Sequence, residues 1–210
     1  YIILYNYILI LNVMKIGILG FVLIVFTVLI IIKLYQESDI FQLKCIVSTK
    51  DGNKYCVRDK ENLEKSADML ADMTIKLRKL VKHMAQKYPD EERVKRLVKG
   101  FNPKKVMETL PTSEYTAYSE NKGEKLAFCL TKKKNEGNMI EPNTLTFVSI
   151  HEVAHIMTKS VGHDKEFWDN FKFLLENAKE IGIYSPVDYS KNPTEYCGMD
   201  ITDNPYYDIL

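Results

Sequence analysis

Apolar and polar residues alternate along this chain in several distinct ways, and each way predicts a different kind of element. From Ile16 to Ile32 no residue is charged, and Lys15 and Lys33 close the run. These seventeen residues are at the short end for a bilayer span, and Leu34 and Tyr35 extend them to the interface, so 16–35 reads as a transmembrane helix. A soluble helix would keep a polar face, and a cleaved signal peptide would have a shorter apolar region and a small-residue cleavage site. The run shows neither. Lysines nearly balance on its two sides, which leaves the orientation open. Ahead of it, residues 1–13 are apolar with Tyr and Asn, and Met14 follows. That segment (1–15 with its flanking lysine) reads either as an upstream extension or as an apolar leader.

Residues 36–58 read as a polar stalk with a hairpin. Phe41–Val47 and Lys54–Arg58 are strand-like, and Lys50-Asp51-Gly52-Asn53 is turn-like. Cys45 and Cys56 would then be neighbours, bridged in an oxidising compartment or left as thiols in the cytosol. From Asp59 to Tyr88 the period becomes helical. Leu63, Ala67, Leu70, Met73, Leu77, Leu80 or Val81, Met84 and Tyr88 fall on one stripe, with Asp59 as the expected cap and Pro89 as the stop. His83 lies beside the stripe, as a structural or solvated residue. Asp90–Lys99 predicts a short helix ended by Gly100. Two strands follow, Tyr115–Ser119 and Glu124–Thr131, around the turn Asn121-Lys122-Gly123. A polar loop, 132–142, leads to a helix expected to be capped by Asn143 or Thr144. The helix Lys165–Ile181, capped by Asp164 and ended by Gly182, carries the stripe Phe167, Trp168, Phe171, Leu174, Leu175 and Ala178. The tail, 183–210, has little periodicity. The domain organisation is therefore a membrane helix, a stalk and one domain over 59–210, of class α+β.

Composition adds little beyond exclusions. There are 29 basic and 28 acidic residues, so nothing draws the chain toward nucleic acid as a whole. The basic residues Arg93, Lys95, Arg96, Lys99, Lys104 and Lys105 read as a solvated face. Four cysteines are too few for a disulfide scaffold, and without C-x-x-C they do not suggest a zinc ribbon.

The chemistry concentrates at His151-Glu152-Val153-Ala154-His155 and Gly162-His163. Residues four apart share one helix face, so His151 and His155 can hold one ion together. Glu152 adjoins the first ligand and is the natural general base. Catalytic zinc takes three protein ligands and keeps one position open; His163 is the third, brought back by a turn at Gly162. Apolar neighbours from Leu145 to Met157 bury this helix. Without a metal to partner them, its His, Glu and His would carry a desolvation cost. The hairpin just before it offers an edge strand that can bind an extended peptide through main-chain hydrogen bonds. From the tail, Tyr184, Tyr189 and Tyr196 are candidates to approach the metal.

The segment HEVAHIMTKSVGHDKEFW, residues 151–168, resembles the WLM and SprT-like group of zincin metallopeptidases. The resemblance implies zinc as cofactor at His151, His155 and His163, and Glu152 as general base. It also implies a minimal zincin fold of helices, a small antiparallel sheet and a metal-binding helix. In layout the chain is similar to membrane-anchored WLM-like proteins of large DNA viruses. One departure concerns spacing: seven residues separate His155 from His163, against five in the metzincin pattern. Glu176 or Glu180 on the next helix is the alternative third ligand. The expected function is a membrane-anchored zinc metallopeptidase acting on a protein or peptide. The alternative is a non-catalytic, membrane-anchored zinc protein that binds a partner.

If 16–35 spans a bilayer, the full-length protein should stay in the membrane pellet after carbonate extraction. A fragment beginning at Gln36 should be soluble and folded. Release of the full chain by carbonate would assign the run to a protein core instead.

Overall fold

The computed structural model describes residues 2–36, 43–134 and 138–208, with the side chains of 2–16 and 36 outside the description. Phe41, the stalk residues 37–42 and the middle of the 132–142 loop lie outside it too. Two compact units are present, residues 1–42 and 43–210.

The first unit contains α1, Ile2–Gln36, so the leader and the span belong to one helix. Gly17–Tyr35 is long and apolar enough to cross a membrane. Its 19 residues rise about 28 Å, close to the roughly 30 Å of a hydrocarbon core. Large apolar side chains such as Phe21, Ile24 and Phe26 are all exposed. Thr27 bonds its hydroxyl to the carbonyl of Leu23 at 2.8 Å, so this polar group is satisfied within the helix.

The second unit is α+β. Strands β1 (Leu43–Val47) and β2 (Lys54–Arg58) form the expected hairpin, with Cys45 opposite Cys56 and bridged to it. The hairpin is not a stalk, because it forms one side of the main sheet. Helices α2 (Leu63–Lys87) and α3 (Glu92–Gly100) follow, then β3 (Val106–Glu108), β4 (Ala117–Glu120) and β5 (Lys125–Phe128). The strand order is β1-β2-β3-β5-β4. The sheet is mixed, which corrects the antiparallel expectation. The chain crosses over through α2 and α3 to insert β3, and β3 pairs in parallel with β2 and with β5. Three residues were too short to signal a strand in the sequence. Helices α4 (Pro142–Met157) and α5 (Lys165–Glu180) complete the core, followed by the small hairpin β6 (Thr194–Tyr196) and β7 (Met199–Ile201).

The stripe of α2 is buried as predicted, from Ala67 to Met84, but the helix starts after Asn62, and Asp59 does not cap it. Helix α4 packs on α2, α3, α5 and β4 and is buried nearly all round. Pro142 opens it and Glu141 is the cap residue; Asn143 instead ties its amide to the backbone of Ser185. Of the basic residues of α3, Lys95 and Lys99 are exposed as expected, and the two arginines are engaged. Arg93 stacks on Phe173 at 3.8 Å, and Arg96 binds the Met157 carbonyl and Glu166. His83 contacts Asn177 at 3.1 Å, a structural role.

All four cysteines are bridged, the second pair being Cys129–Cys197. It joins the end of β5 to the turn of the β6–β7 hairpin. No sequence spacing indicated it, since 68 residues separate the two. In the chain-entropy picture, a loop of this length stabilises a fold by roughly 4 kcal/mol.

One close approach positions the site. A Cβ on Gly123 would sit 2.4 Å from the carbonyl oxygen of Gly100, and one on Gly100 would sit 2.6 Å from that of Lys122. Helix α3 therefore meets the β4–β5 turn backbone to backbone. Gly123→Ala should cost roughly 3 kcal/mol or more, combining a positive φ with overpacking. Gly52 also has positive φ but open space around it, so Gly52→Ala should cost only about 1 kcal/mol. Denaturant unfolding of the two variants measures the difference, and equal losses would refute the packing argument.

Candidate metal centre

The structure brings together the three histidines that the motif named. His151 and His155 project from one face of α4. Gly162, at φ 98°, then turns the chain so that His163 returns to them. One ligand nitrogen from each lies within 4.8 Å of the others, and Nε2 of His163 is 3.0 Å from Nε2 of His151. Nitrogens bound tetrahedrally to zinc at 2.0–2.1 Å stand roughly 3.3 Å apart, so these imidazoles need shift only slightly to hold one ion. Among the described residues no fourth His, Cys, Asp or Glu joins the group, which leaves a position open. Glu180 is drawn away by Lys87 at 2.5 Å, on the far side of α5's stripe, and Glu176 is exposed.

Phe167 supports all three rings. It is fully buried, and its centroid is 4.3 Å from His155, 4.6 Å from His163 and 4.8 Å from His151. Asp164 fixes this phenylalanine by capping α5, accepting from the Phe167 N–H at 3.0 Å. In sequence, Phe167 looked like one more core residue of its stripe.

Burial decides the protonation of the two helix histidines. It lowers His151 to about 3 and His155 to about 4, so both are neutral and able to bind metal at pH 7. Burial pushes the Glu152 carboxyl the other way, up to about 8, while a bond from the Ser119 backbone N–H opposes the rise. A divalent cation alongside would favour the carboxylate further.

Ser119 belongs to β4, an edge strand. Cys129 N–H donates to Thr116 C=O, while the backbones of Leu126 and Phe128 bond toward β3. By alternation, Ala117 and Ser119 present their main-chain groups away from β5. The Ser119 N–H meets Glu152; the outward groups of Ala117 stay available. At the other end of the hairpin, Lys122 donates from its ammonium to the carbonyls of His155 (3.1 Å), Thr158 (2.9 Å) and Ser160 (2.5 Å). A cation at a helix C-terminus is favourable, and this one locks the turn that carries His155 to the hairpin. Nothing in the sequence distinguished Lys122 from a solvated turn lysine.

Two clefts meet at His151 and Glu152. One, about 930 Å³, runs along β4 past Tyr118, Lys122 and His163. The other, about 310 Å³, lies between α4, α5 and the β6–β7 hairpin and includes Tyr196. Of the three tail tyrosines, Tyr196 is the one at the site. Its hydroxyl donates to Thr116 C=O at 3.3 Å, and burial together with the charge of Glu152 raises its pKa. Tyr184 receives a bond from Asn204, and Tyr189 packs on Phe147.

No protein-family model matches the chain. It is 26% identical over 172 residues to "Uncharacterized protein R325" of Acanthamoeba polyphaga mimivirus, covering 80% of this chain and 85% of that one. Two shorter matches are to proteins of invertebrate iridescent viruses. One, to "Uncharacterized protein 136R" of virus 6, is 40% identical over 53 residues, 25% of this chain and 30% of that protein. The other, to "Uncharacterized protein 042R" of virus 3, is 31% identical over 100 residues, 47% of this chain and 57% of that protein. Among solved structures, Wss1 from Saccharomyces cerevisiae aligns with TM-score 0.48 and 18% identity, over 65% of this chain and 96% of that one.

His163→Ala should weaken zinc binding strongly, while Glu176→Gln and Glu180→Gln should leave it nearly unchanged, as read by competition with a chromogenic chelator. The reverse pattern would move the third ligand to α5. In the metal-stripped protein, His151 and His155 titrate below their unfolded value near 6.5. Between about 4 and 6.5 the unfolded chain binds the extra protons, so unfolding free energy should fall as pH drops through that window. Glu152, raised to about 8, acts with opposite sign and loses its contribution as pH rises from about 4.5 to 8. Denaturation at pH 5 and pH 7 checks the acid limb, which the His151→Ala/His155→Ala double variant should reverse, leaving the opposite slope of Glu152.

Proposed function

We propose that this chain is a membrane-anchored zinc metallopeptidase that cleaves a protein or peptide substrate. The observation that carries the reading is a buried carboxylate beside three converging imidazoles, where two clefts meet under a sheet edge. His151, His155 and His163 would hold the zinc. A zinc ion there supplies Lewis acidity and lowers the pKa of a coordinated water toward neutrality.

The chain's own groups supply the rest. Glu152, oriented by the Ser119 N–H, takes a proton from the attacking water and returns it to the departing amine. The outward main chain of Ala117 on β4 receives an extended peptide as an added strand, which aligns its scissile bond over the histidines. Tyr196 would turn its single phenolic O–H from Thr116 C=O to the carbonyl oxygen as charge develops on it. Phe167 and Lys122 act through the ligands, one holding the rings and the other holding the helix end. Gly17–Tyr35 is the proposed bilayer anchor. The viral relatives support a viral origin.

Glu152→Gln keeps the shape and removes the base. The variant should retain zinc and fold, yet lose turnover by about 100-fold or more. Wild-type protein loaded with zinc that hydrolyses no peptide in a diverse library would favour the non-catalytic alternative. A Glu152→Gln variant that cleaves as fast as wild type would remove Glu152 from the mechanism.

A further inference from the structure

The smaller cleft has walls unlike those of the larger one. Phe147 and Val148 come from α4, Trp168 and Phe171 from α5, and Met199 and Ile201 from β7. All six are apolar, and the cleft reaches His151 and Glu152 at its inner end. Its volume of about 310 Å³ admits one large side chain but not a folded segment. Thr116 and Ala117 also border it, so a strand laid along β4 passes its mouth. Trp168 is 41% exposed and Met199 is 51% exposed, which leaves the outer wall open to an occupant. Asp200 and Asp203 stand at the rim and are exposed.

We infer that this cleft is the specificity pocket of the site: it takes a large apolar or aromatic side chain adjoining the scissile bond of a peptide, and its acidic rim excludes acidic neighbours. The inference rests on the peptidase reading for the phrase "scissile bond", but side-chain recognition itself can be measured without catalysis. An apolar side chain entering here removes its own surface and that of Trp168, Met199 and Ile201 from water. Burying a phenylalanine in place of an alanine strengthens binding by about 10-fold or more. A glutamate would meet apolar walls and two carboxylates of its own sign.

Trp168 is the single tryptophan of the chain, so it reports occupancy directly. The test uses full-length Glu152→Gln protein in detergent micelles, loaded with zinc. It is titrated with short blocked peptides identical except for one central residue: Phe, Leu, Ala, Lys or Glu. The Phe and Leu peptides should shift Trp168 emission to shorter wavelength and bind about 10-fold tighter than the Ala peptide, with the Glu peptide weakest. Ile201→Asp and, independently, Met199→Asp should erase the preference for Phe while leaving zinc content and circular dichroism unchanged. Equal affinity for the Phe and Ala peptides, or a preference untouched by both substitutions, would overturn the inference. Tightest binding of the Lys peptide would also overturn it and assign the cleft to its carboxylates. Mass spectrometry of the wild-type protein with the same peptides reads cleavage separately, so absence of hydrolysis bears on the peptidase reading and not on the pocket.

Discussion

The constraint on which the structure turns is the burial of α4. This helix is surrounded by α2, α3, α5 and β4, yet it carries two imidazoles and a carboxylate into that interior. Low polarity around them decides their chemistry. It lowers the proton affinity of the histidines, which leaves them free to bind a cation, and raises that of the glutamate until a cation or a bonding partner opposes it. The surrounding elements are fitted to that helix. Phe167 gives the three rings a common floor, and the Ser119 N–H gives the carboxylate its one backbone donor. Lys122 neutralises the carbonyl end of the same helix from a turn that only glycine contacts can bring so close.

What could be read in advance follows from the range of each interaction. The α2 and α5 stripes, the histidine-bearing helix and the β4–β5 hairpin are local patterns of period and turn, and each appears in the structure at nearly its expected place, except that Trp168 of the α5 stripe is exposed. Histidines four apart on a helix are likewise local, and His163 follows within a few residues. Features that depend on contacts across the fold left no such trace. The three residues of β3 have no period of their own, and they became a strand because α2 and α3 carry them between β2 and β5. Cys129 and Cys197 stand far apart in sequence, so their pairing depended on where the tail came to rest. Ser119, Lys122 and Phe167 looked like ordinary strand, turn and core residues, and their neighbours give them their roles. Of the expected caps, Asp164 holds the start of α5 and two others do not. Asp59 and Asn143 had the right chemistry for a helix start, but the backbone began its helices elsewhere.

The sheet explains why the hairpin of β1 and β2 cannot be separated from the domain. It pairs through Cys56 and Met107 to β3, and Arg58 at its end is fully buried. The Arg58 guanidinium bonds the backbones of Thr109 and Leu110 and faces Glu108 at 3.4 Å. Removing either partner would leave a buried charge, a change that typically costs several kcal/mol. The opposite edge of the sheet, β4, is left to the site.

The Cys129–Cys197 bridge has a further consequence, concerning what a cut would do. Every residue of α4 and α5, with His163 and Phe167 between and within them, falls inside the covalent loop that this bridge closes. Val161, 93% exposed beside His163, lies in the same loop. A single nick there, made by a foreign protease, would leave both pieces joined through sulfur. The nicked molecule would migrate as one chain until reduced, and its two halves would remain pressed together by the core around Phe167. Cleavage at this loop would thus end in a two-chain protein and not in the loss of a fragment.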